Sequence, residues 1–419
     1  MRRALPALFV LLALIPSVAE SQEVPAEPDP VVVATFDTGT NPFHPCFRRD
    51  WTRADGQSVE SPREFIPTYP ADATPLPLTF GDTYGDSLSE SQDALEAITP
   101  RKLHFVPETN LSFYGTAWTE FVDNYPHGAQ ASSQIACEQY GLAPNAHLVI
   151  LNWYDNNAAG PELIRWAAAQ PWIDVVHLNI QDYPLPGRAR EIDDVIASGK
   201  VVVIAAGNGV AGLGPSYPME LSRWNGPPGS LIAGANDNGG YAAYSNLSPH
   251  VVMDGCGTVA AAPTGFGSTG FSGTSSASPR ITGYVARLLG ELRAEFGHTG
   301  QGLLTIPDGS PRPATGPLAD GVLVASEVHD AVRATADPNP HASVYDGSGG
   351  STASCVYWIP QPTDMPVAVY TKMGYGEVSE HTLPAAIDVL AGRSPRPTRS
   401  EDAFFSLSEQ IRHALFPPD

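Results

Sequence analysis

The feature that narrows this chain most is a repeated alternation between short, uninterrupted apolar runs and stretches of helical pattern. Val31 to Phe36, His147 to Leu151, Ile173 to Ile180 and Val201 to Ala206 are dominated by β-branched and aliphatic side chains. A strand that is apolar on both faces must be covered on both faces, which is how strands of a parallel sheet read. Between these runs lie a small-residue helix after His127 that stops at Gly141, a helix from Pro161 to Ala169 with proline in its first turn, and a helix from Arg188 to Ser198 closed by Gly199. Parallel strands need crossover connections, and helices supply them. The pattern therefore predicts an α/β fold of three layers: a doubly wound, mostly parallel sheet with helices on both faces.

At 419 residues the chain can bury a sizeable core. Its formal net charge is −22 with 16% charged residues, so the surface lacks the basic footprint that nucleic-acid binding requires, and nucleic acid is not expected as a partner. Arg2 and Arg3 precede an apolar run from Ala4 to Ile15 and the small residues Ser17 and Ala19, which reads as a secretory signal peptide over residues 1–19. That run is interrupted by Pro6 and Pro16 and is shorter than the roughly 20 residues a membrane span needs. No later segment is long and apolar enough to span, so a secreted protein without a membrane partner after cleavage is expected. Residues 20–30 form a Pro/Glu-rich linker, residues 31–393 the main domain with an inserted loop region over about 47–101, and residues 394–419 a tail. The tail carries a short helix with Leu407, Ile411 and Leu415 on one docking face. Export favours disulfides among Cys46, Cys137, Cys256 and Cys355, whose wide spacing does not suit zinc or redox sites; three pairings stay open, with buried thiols as the alternative.

Chemically useful residues fall where the strands end. Asp37 follows the first run, His127 opens a helix, Asn208 follows Val201 to Ala206, and Gly273-Thr274-Ser275-Ser276-Ala277-Ser278-Pro279 leads into a helix with Ile281, Val285, Leu288 and Leu292 on one face. Ligands of open parallel sheets bind outside the carboxyl ends of the strands, so all four segments can converge on one crevice. Taken singly each is weak: Asp37-Thr38-Gly39 is also turn chemistry, a serine at a helix start is commonly a cap, and most of eleven histidines are expected to be structural. Their strength is the order Asp, His, Asn, Ser, which suits an orienter, a base and a nucleophile recognised by role. Gly207 to Gly212 also spells a dinucleotide fingerprint, but Pro215 and Pro218 block the helix it needs. No P-loop, H-E-x-x-H or G-x-S-x-G pattern is present.

Together these blocks resemble the subtilisin-like serine proteases, the subtilase or peptidase S8 family. Asp37-Thr38-Gly39 with His44-Pro45 is similar to the family's aspartate block, and His127-Gly128 with Gly141 to Ala146 to its histidine block. Ala205 to Asn208 resembles the strand end that supplies an oxyanion donor, Asp174 to Ile180 the substrate-pairing strand, Gly273 to Pro279 the serine block and Gly374 to Val378 the closing segment. The resemblance implies a secreted endopeptidase acting on protein or peptide substrates, with Ser275 as nucleophile, His127 as base, Asp37 as its orienter and Asn208 as oxyanion donor. It places Asn179, Ile180 and Gln181 along the substrate and requires no cofactor for the chemistry, while structural calcium and oligomeric state are not readable. The alternative is a pseudoprotease or peptide-binding module on the same fold. Four departures stand out. His127-Gly128-Ala129-Gln130 replaces His-Gly-Thr-His, losing two polar side chains, and Gln181 replaces a glycine. Ninety positions separate Asp37 from His127, and only seventeen residues lie between the expected signal cleavage and Asp37, so an N-terminal prodomain is not expected.

Overall fold

The computed structural model describes residues 30–41, 44, 47, 103–104, 123, 125–152, 160–179, 188–208, 230–237, 240–242, 244–245, 249–263, 267–300, 302–337 and 375–398. The expected signal peptide 1–19, the linker through residue 29, nearly all of the inserted region 47–101, Ile180, Gln181, Cys46, Cys355 and the tail helix lie outside the described residues.

The first apolar run forms β1 (Val32–Asp37), buried along its whole length. It is followed by β2 (Leu103–His104), α1 (Gly128–Ala136), β3 (His147–Asn152), α2 (Gly160–Ala169), β4 (Val175–Leu178), α3 (Arg188–Ala197) and β5 (Val201–Ala205). Next come β6 (Ser230–Asp237), β7 (Gly240–Tyr241) and β8 (Val251–Asp254), then the hairpin β9 (Thr258–Ala261) and β10 (Ser268–Phe271), and the long helix α4 (Thr274–Phe296). A small hairpin of β11 (Leu304–Thr305) and β12 (Val322–Leu323) precedes α5 (Ala325–Thr335) and α6 (Leu383–Leu390).

Eight strands make one sheet in the order β2-β3-β1-β4-β5-β6, with β8 parallel and the short β7 antiparallel to β6. Every other neighbouring pair is parallel. Because side chains alternate along a strand, β1 splits between two cores. Val33 joins a cluster with Leu148, Val203, Leu231 and the inward faces of α1 and α4, among them Ile135, Ile281, Val285 and Leu288. Val32, Ala34 and Phe36 pack on the other face with Val149, Val176, Val202 and the α2 and α3 residues Leu163, Ile164, Ile192 and Val195. This is the expected three-layer, doubly wound, mostly parallel architecture. From β1 the chain steps to β3 on one side and then to β4 on the other, so a crevice opens at the carboxyl end of β1, where Asp37 sits.

Two expected boundaries differ. The helix after His127 ends at Ala136, because Cys137 turns extended and the N–H groups of Leu142 and Ala143 reach back to the carbonyls of Gln134 and Ile135, folding the chain over the helix end. The strand expected from Ile173 to Ile180 is confined to Val175–Leu178 within the described residues. The carboxyl end of α4 is held by Arg293, whose Nη2 lies 2.5 Å from Asp174 Oδ1, while Asp174 Oδ2 accepts the Val32 N–H at 2.8 Å. The cysteines divide. Cys137 carries a buried thiol inside the core cluster, as a small hydrophobe would, and Cys256 is disulfide-bonded to a partner outside the described residues. A scheme that pairs all four cysteines is thereby overturned.

Candidate active site

The site forms around the carboxyl end of β1. The turn there begins with Asp37, and α1 starts directly against it: a Cβ on Gly128 would stand 2.1 Å from the Gly39 carbonyl oxygen, so only glycine permits the approach. Immediately before that glycine, His127 brings its Nδ1 to 2.6 Å from Asp37 Oδ1. The same oxygen accepts the Thr38 N–H at 2.7 Å, and Oδ2 accepts Asn179 Nδ2 at 2.9 Å. With the imidazole proton held on Nδ1 by the carboxylate, Nε2 is the nitrogen left with a lone pair. The ring packs edge-on against Phe271 from β10, with centroids 5.3 Å apart.

A second buried carboxylate lies beneath this pair. Asp123 Oδ2 accepts the backbone N–H groups of His127 at 3.0 Å and Ala129 at 2.8 Å, and its Oδ1 accepts that of Tyr125 at 3.1 Å. The His127 and Ala129 N–H groups belong to the start of α1, where donors have no partner inside the helix. The Thr38 hydroxyl accepts the Gly128 N–H at 2.8 Å and shares its own proton between Asp123 Oδ1 at 2.7 Å and the Tyr125 carbonyl at 2.8 Å. The side chains of Thr38 and Asp123, with the backbone bond from the Asp123 N–H to the Thr40 carbonyl at 2.9 Å, thus join the turn after β1 to the start of α1.

Electrostatics follow from this packing. Burial pushes the Asp37 carboxyl up, but the charge and hydrogen bond of His127, with the bonds from Asn179 and Thr38, outweigh it and hold the group below its ordinary value. Burial pulls His127 down, and the charges of Asp37 and Asp123 with the Asp37 hydrogen bond outweigh that, so the imidazole titrates above its ordinary value of 6.5. Asp123 is pushed up to about 6, chiefly by burial, against the hydrogen bonds from Ala129 and Thr38 and with the Asp37 charge adding to it.

Ser275 is the second residue of α4 and is half-buried. Pro279 lies four residues on and has no N–H to return to the Ser275 carbonyl. Asn179 Nδ2 takes that place at 3.1 Å, so one buried amide touches both Asp37 and the backbone of Ser275. Asn208, exposed at the end of the β5 segment, has its Oδ1 fixed by the Thr274 N–H at 2.8 Å and the Thr274 hydroxyl at 3.1 Å, leaving its NH2 as the end open to a ligand. Gly273 has φ 114°, and a Cβ there would stand 3.2 Å from that Nδ2, so a side chain would crowd the amide.

Of the residues singled out in the sequence, Asp37 and His127 are in direct contact, Asn179 bridges Asp37 to Ser275, and Asn208 is bonded to the neighbour of Ser275. Ile180 and Gln181 lie outside the described residues. Gln130 is not a lost polar contact: it is buried, and its amide reaches the Gly270 carbonyl at 3.4 Å. Asp123, Thr38 and Thr274 were missed. Asp123 stands four positions before the N-cap residue His127, outside the position where a capping pattern is read, so no local signal marks it. Among the other histidines, His44 bonds the Gly267 carbonyl at 2.7 Å, and buried His177 sits between Thr35 and Ser278, pushed down to about 3 by burial. Among the described residues no group of three or more His, Cys, Asp or Glu side chains could hold a metal ion.

Fold and site together define a doubly wound α/β protein with a carboxylate–imidazole pair at the topological switch point, beside a serine in the first turn of a helix. The profile of the subtilase family, peptidase S8, matches residues 29–304, and the chain belongs to that family. Subtilisin-like protease 5 of Arthroderma benhamiae is 28% identical over 180 residues, covering 40% of this chain and 44% of that protein. Subtilisin-like protease 1 of Arthroderma otae is 24% identical over 225 residues, covering 49% of this chain and 45% of that protein. The chain thus spans less than half the length of these curated relatives. Among solved structures, that of the prenylagaramide maturation protease PagA is 16% identical with a TM-score of 0.48, covering 87% of this chain and 95% of that one.

Proposed function

We propose that this chain is a secreted serine endopeptidase that hydrolyses peptide bonds with Ser275, His127 and Asp37, with Asn208 as oxyanion donor. The observation that carries the reading is the 2.6 Å contact between His127 Nδ1 and Asp37 Oδ1 at the carboxyl end of the sheet. His127 Nε2 takes the proton of the Ser275 hydroxyl as the oxygen attacks the substrate carbonyl, and Asp37 holds the ring in that tautomer and stabilises the imidazolium that forms. Charge appears on the substrate oxygen in the tetrahedral species. Asn208 Nδ2 and the Ser275 N–H, a first-turn donor with no partner inside α4, are the groups that meet it. The imidazolium protonates the leaving amine, and water then repeats the steps to release the acid. Beyond Asn179 the chain through Ile180 and Gln181 is the segment proposed to pair with extended substrate backbone. Secretion follows from the signal-peptide reading of residues 1–19, and among the described residues no helix is long and apolar enough to cross a membrane.

A fluorophosphonate probe tests the reading. It is expected to label Ser275 in the folded protein and to lose that labelling on heat denaturation; a folded protein that takes no adduct would instead be a binding module. The pH dependence checks the base. His127 must be neutral to accept a proton and titrates above 6.5 in the folded protein, so kcat/KM is expected to be full at alkaline pH and to fall as acid protonates it. A flat profile between about pH 5 and 8 would remove His127 from this role.

Asn208 has a separate signature. A donor used mainly as charge develops acts on kcat more than on KM. Asn208→Ala is expected to lower kcat by about 10²–10³, the usual cost of one oxyanion donor, with KM within a few-fold. Unchanged kcat per active site together with a lowered melting temperature would make Asn208 only a partner for Thr274.

A further inference from the structure

Asp123 satisfies more backbone donors at the site than any residue that the chemistry names. Its side chain is 2% exposed and accepts three N–H groups, from Tyr125, His127 and Ala129, with the Thr38 hydroxyl beside it. Two of the residues so held are the base itself and, through Thr38, the immediate neighbour of its orienter. A neutral cap would satisfy helix-end donors as well and at lower desolvation cost, since a buried carboxylate is expensive to ionise. The cost is visible in the titration of Asp123, which burial pushes up to about 6. A charge kept in so unfavourable a place points to a use beyond capping.

We infer that Asp123 is a second positioning carboxylate: it fixes the His127 backbone against the Asp37 turn and adds a negative charge that supports the imidazolium formed during turnover. The inference rests on the proposed protease reading. Asp123 acts through His127 and Thr38 and touches no reacting atom. Among the described residues the charges that act on the imidazole are Asp37 from β1 and Asp123 from the segment leading into α1, while His177 from β4 feels the charge of the imidazole. His177 stays neutral over the working range, so the two carboxylates set the charge balance. The sign is definite. An ionised Asp123 raises the His127 titration, and removing that charge lowers it, so a variant base stays neutral to more acidic pH.

The test compares Asp123→Asn with the wild-type protein by two measurements per folded molecule: the rate of fluorophosphonate labelling of Ser275 and the pH profile of that rate. Asp123→Asn is expected to label roughly 10- to 100-fold more slowly at its optimum, the scale of a misplaced catalytic group, and to move its acid limb down by roughly half a pH unit. Asp123→Glu, which keeps the charge, is expected to restore the wild-type limb even where its rate stays reduced. Should Asp123→Asn not fold, Asp123→Ser, which leaves a hydroxyl cap without the charge, carries the same comparison. A variant with a lower melting temperature but an unshifted limb and a wild-type rate per folded molecule would overturn the inference, because a plain helix cap predicts that result. If the wild-type protein itself takes no adduct at Ser275, the protease reading fails first and the inference falls with it.

Discussion

Ser275→Ala is expected to lower kcat about a millionfold, the scale seen when a serine nucleophile of this class is removed. The fold is expected to survive. Ser275 is half-buried in the first turn of a helix anchored further along by Ile281, Val285, Leu288 and Leu292, so deleting one oxygen opens no core cavity. Its stability change is expected to stay within about 0.5 kcal/mol, as for a substitution away from the core. The proposed nucleophile and base would work as a unit, which supplies a sharper check: a Ser275→Ala, His127→Ala double variant is expected to be no slower than either single variant. Multiplying losses would mean that the two residues act independently, and the proposed proton transfer between them would be lost. Residual activity above the uncatalysed rate by about 10³–10⁴ is expected in all three variants, supplied by substrate binding and the oxyanion donors.

The second large effect concerns stability and lies far from the chemistry. Arg293 and Asp174 form an ion pair with both side chains almost fully buried, and Arg293 also donates to the Leu303 carbonyl at 2.7 Å and the Pro30 carbonyl at 3.1 Å. Arg293→Met removes the cation bonded to Asp174 and leaves that buried carboxylate with the Val32 N–H but without its ion-pair partner, its titration already raised by burial in the intact pair. The expected loss is about 3–5 kcal/mol, the cost of an uncompensated buried charge. For a domain of this size that lowers the melting temperature by roughly 5–15 °C, measured by calorimetry. Arg293→Met combined with Asp174→Asn is expected to recover part of the loss, since the buried charge is then gone and an amide can still meet neighbouring donors. A double variant no more stable than Arg293→Met would show that the carbonyl contacts of Arg293, not its charge, hold this corner.

The fold class was legible in the order of residues, as were the blocks proposed to carry the chemistry, because both depend on short-range pattern. Apolar runs such as Val201 to Ala205 report a strand buried on two faces, whichever residues they later touch. Asp37, His127, Asn208 and Ser275 stand at strand or helix ends, where local turn chemistry and order along the chain are enough to single them out. Element ends were read less well: α1 stops at Ala136 because backbone groups as far on as Ala143 fold back on it, an event no periodicity encodes.

Partners distant in sequence were decided by the tertiary structure alone. Thr38 meets Asp123 across 85 positions, Arg293 meets Asp174 across 119, and Asn179 meets Asp37 across 142. Each of these polar groups costs free energy when buried unless a partner is delivered to it, and only the packing of helices on the sheet delivers one. The same holds for the cysteines. Spacing left their states open, and the structure put Cys137 into an apolar core as a thiol while Cys256 entered a disulfide. Residue order along the chain thus marks where a nucleophile, base and orienter can meet, because turns and strand ends are local. Which side chains hold them there depends on burial and direction in space, which arise only once the layers close.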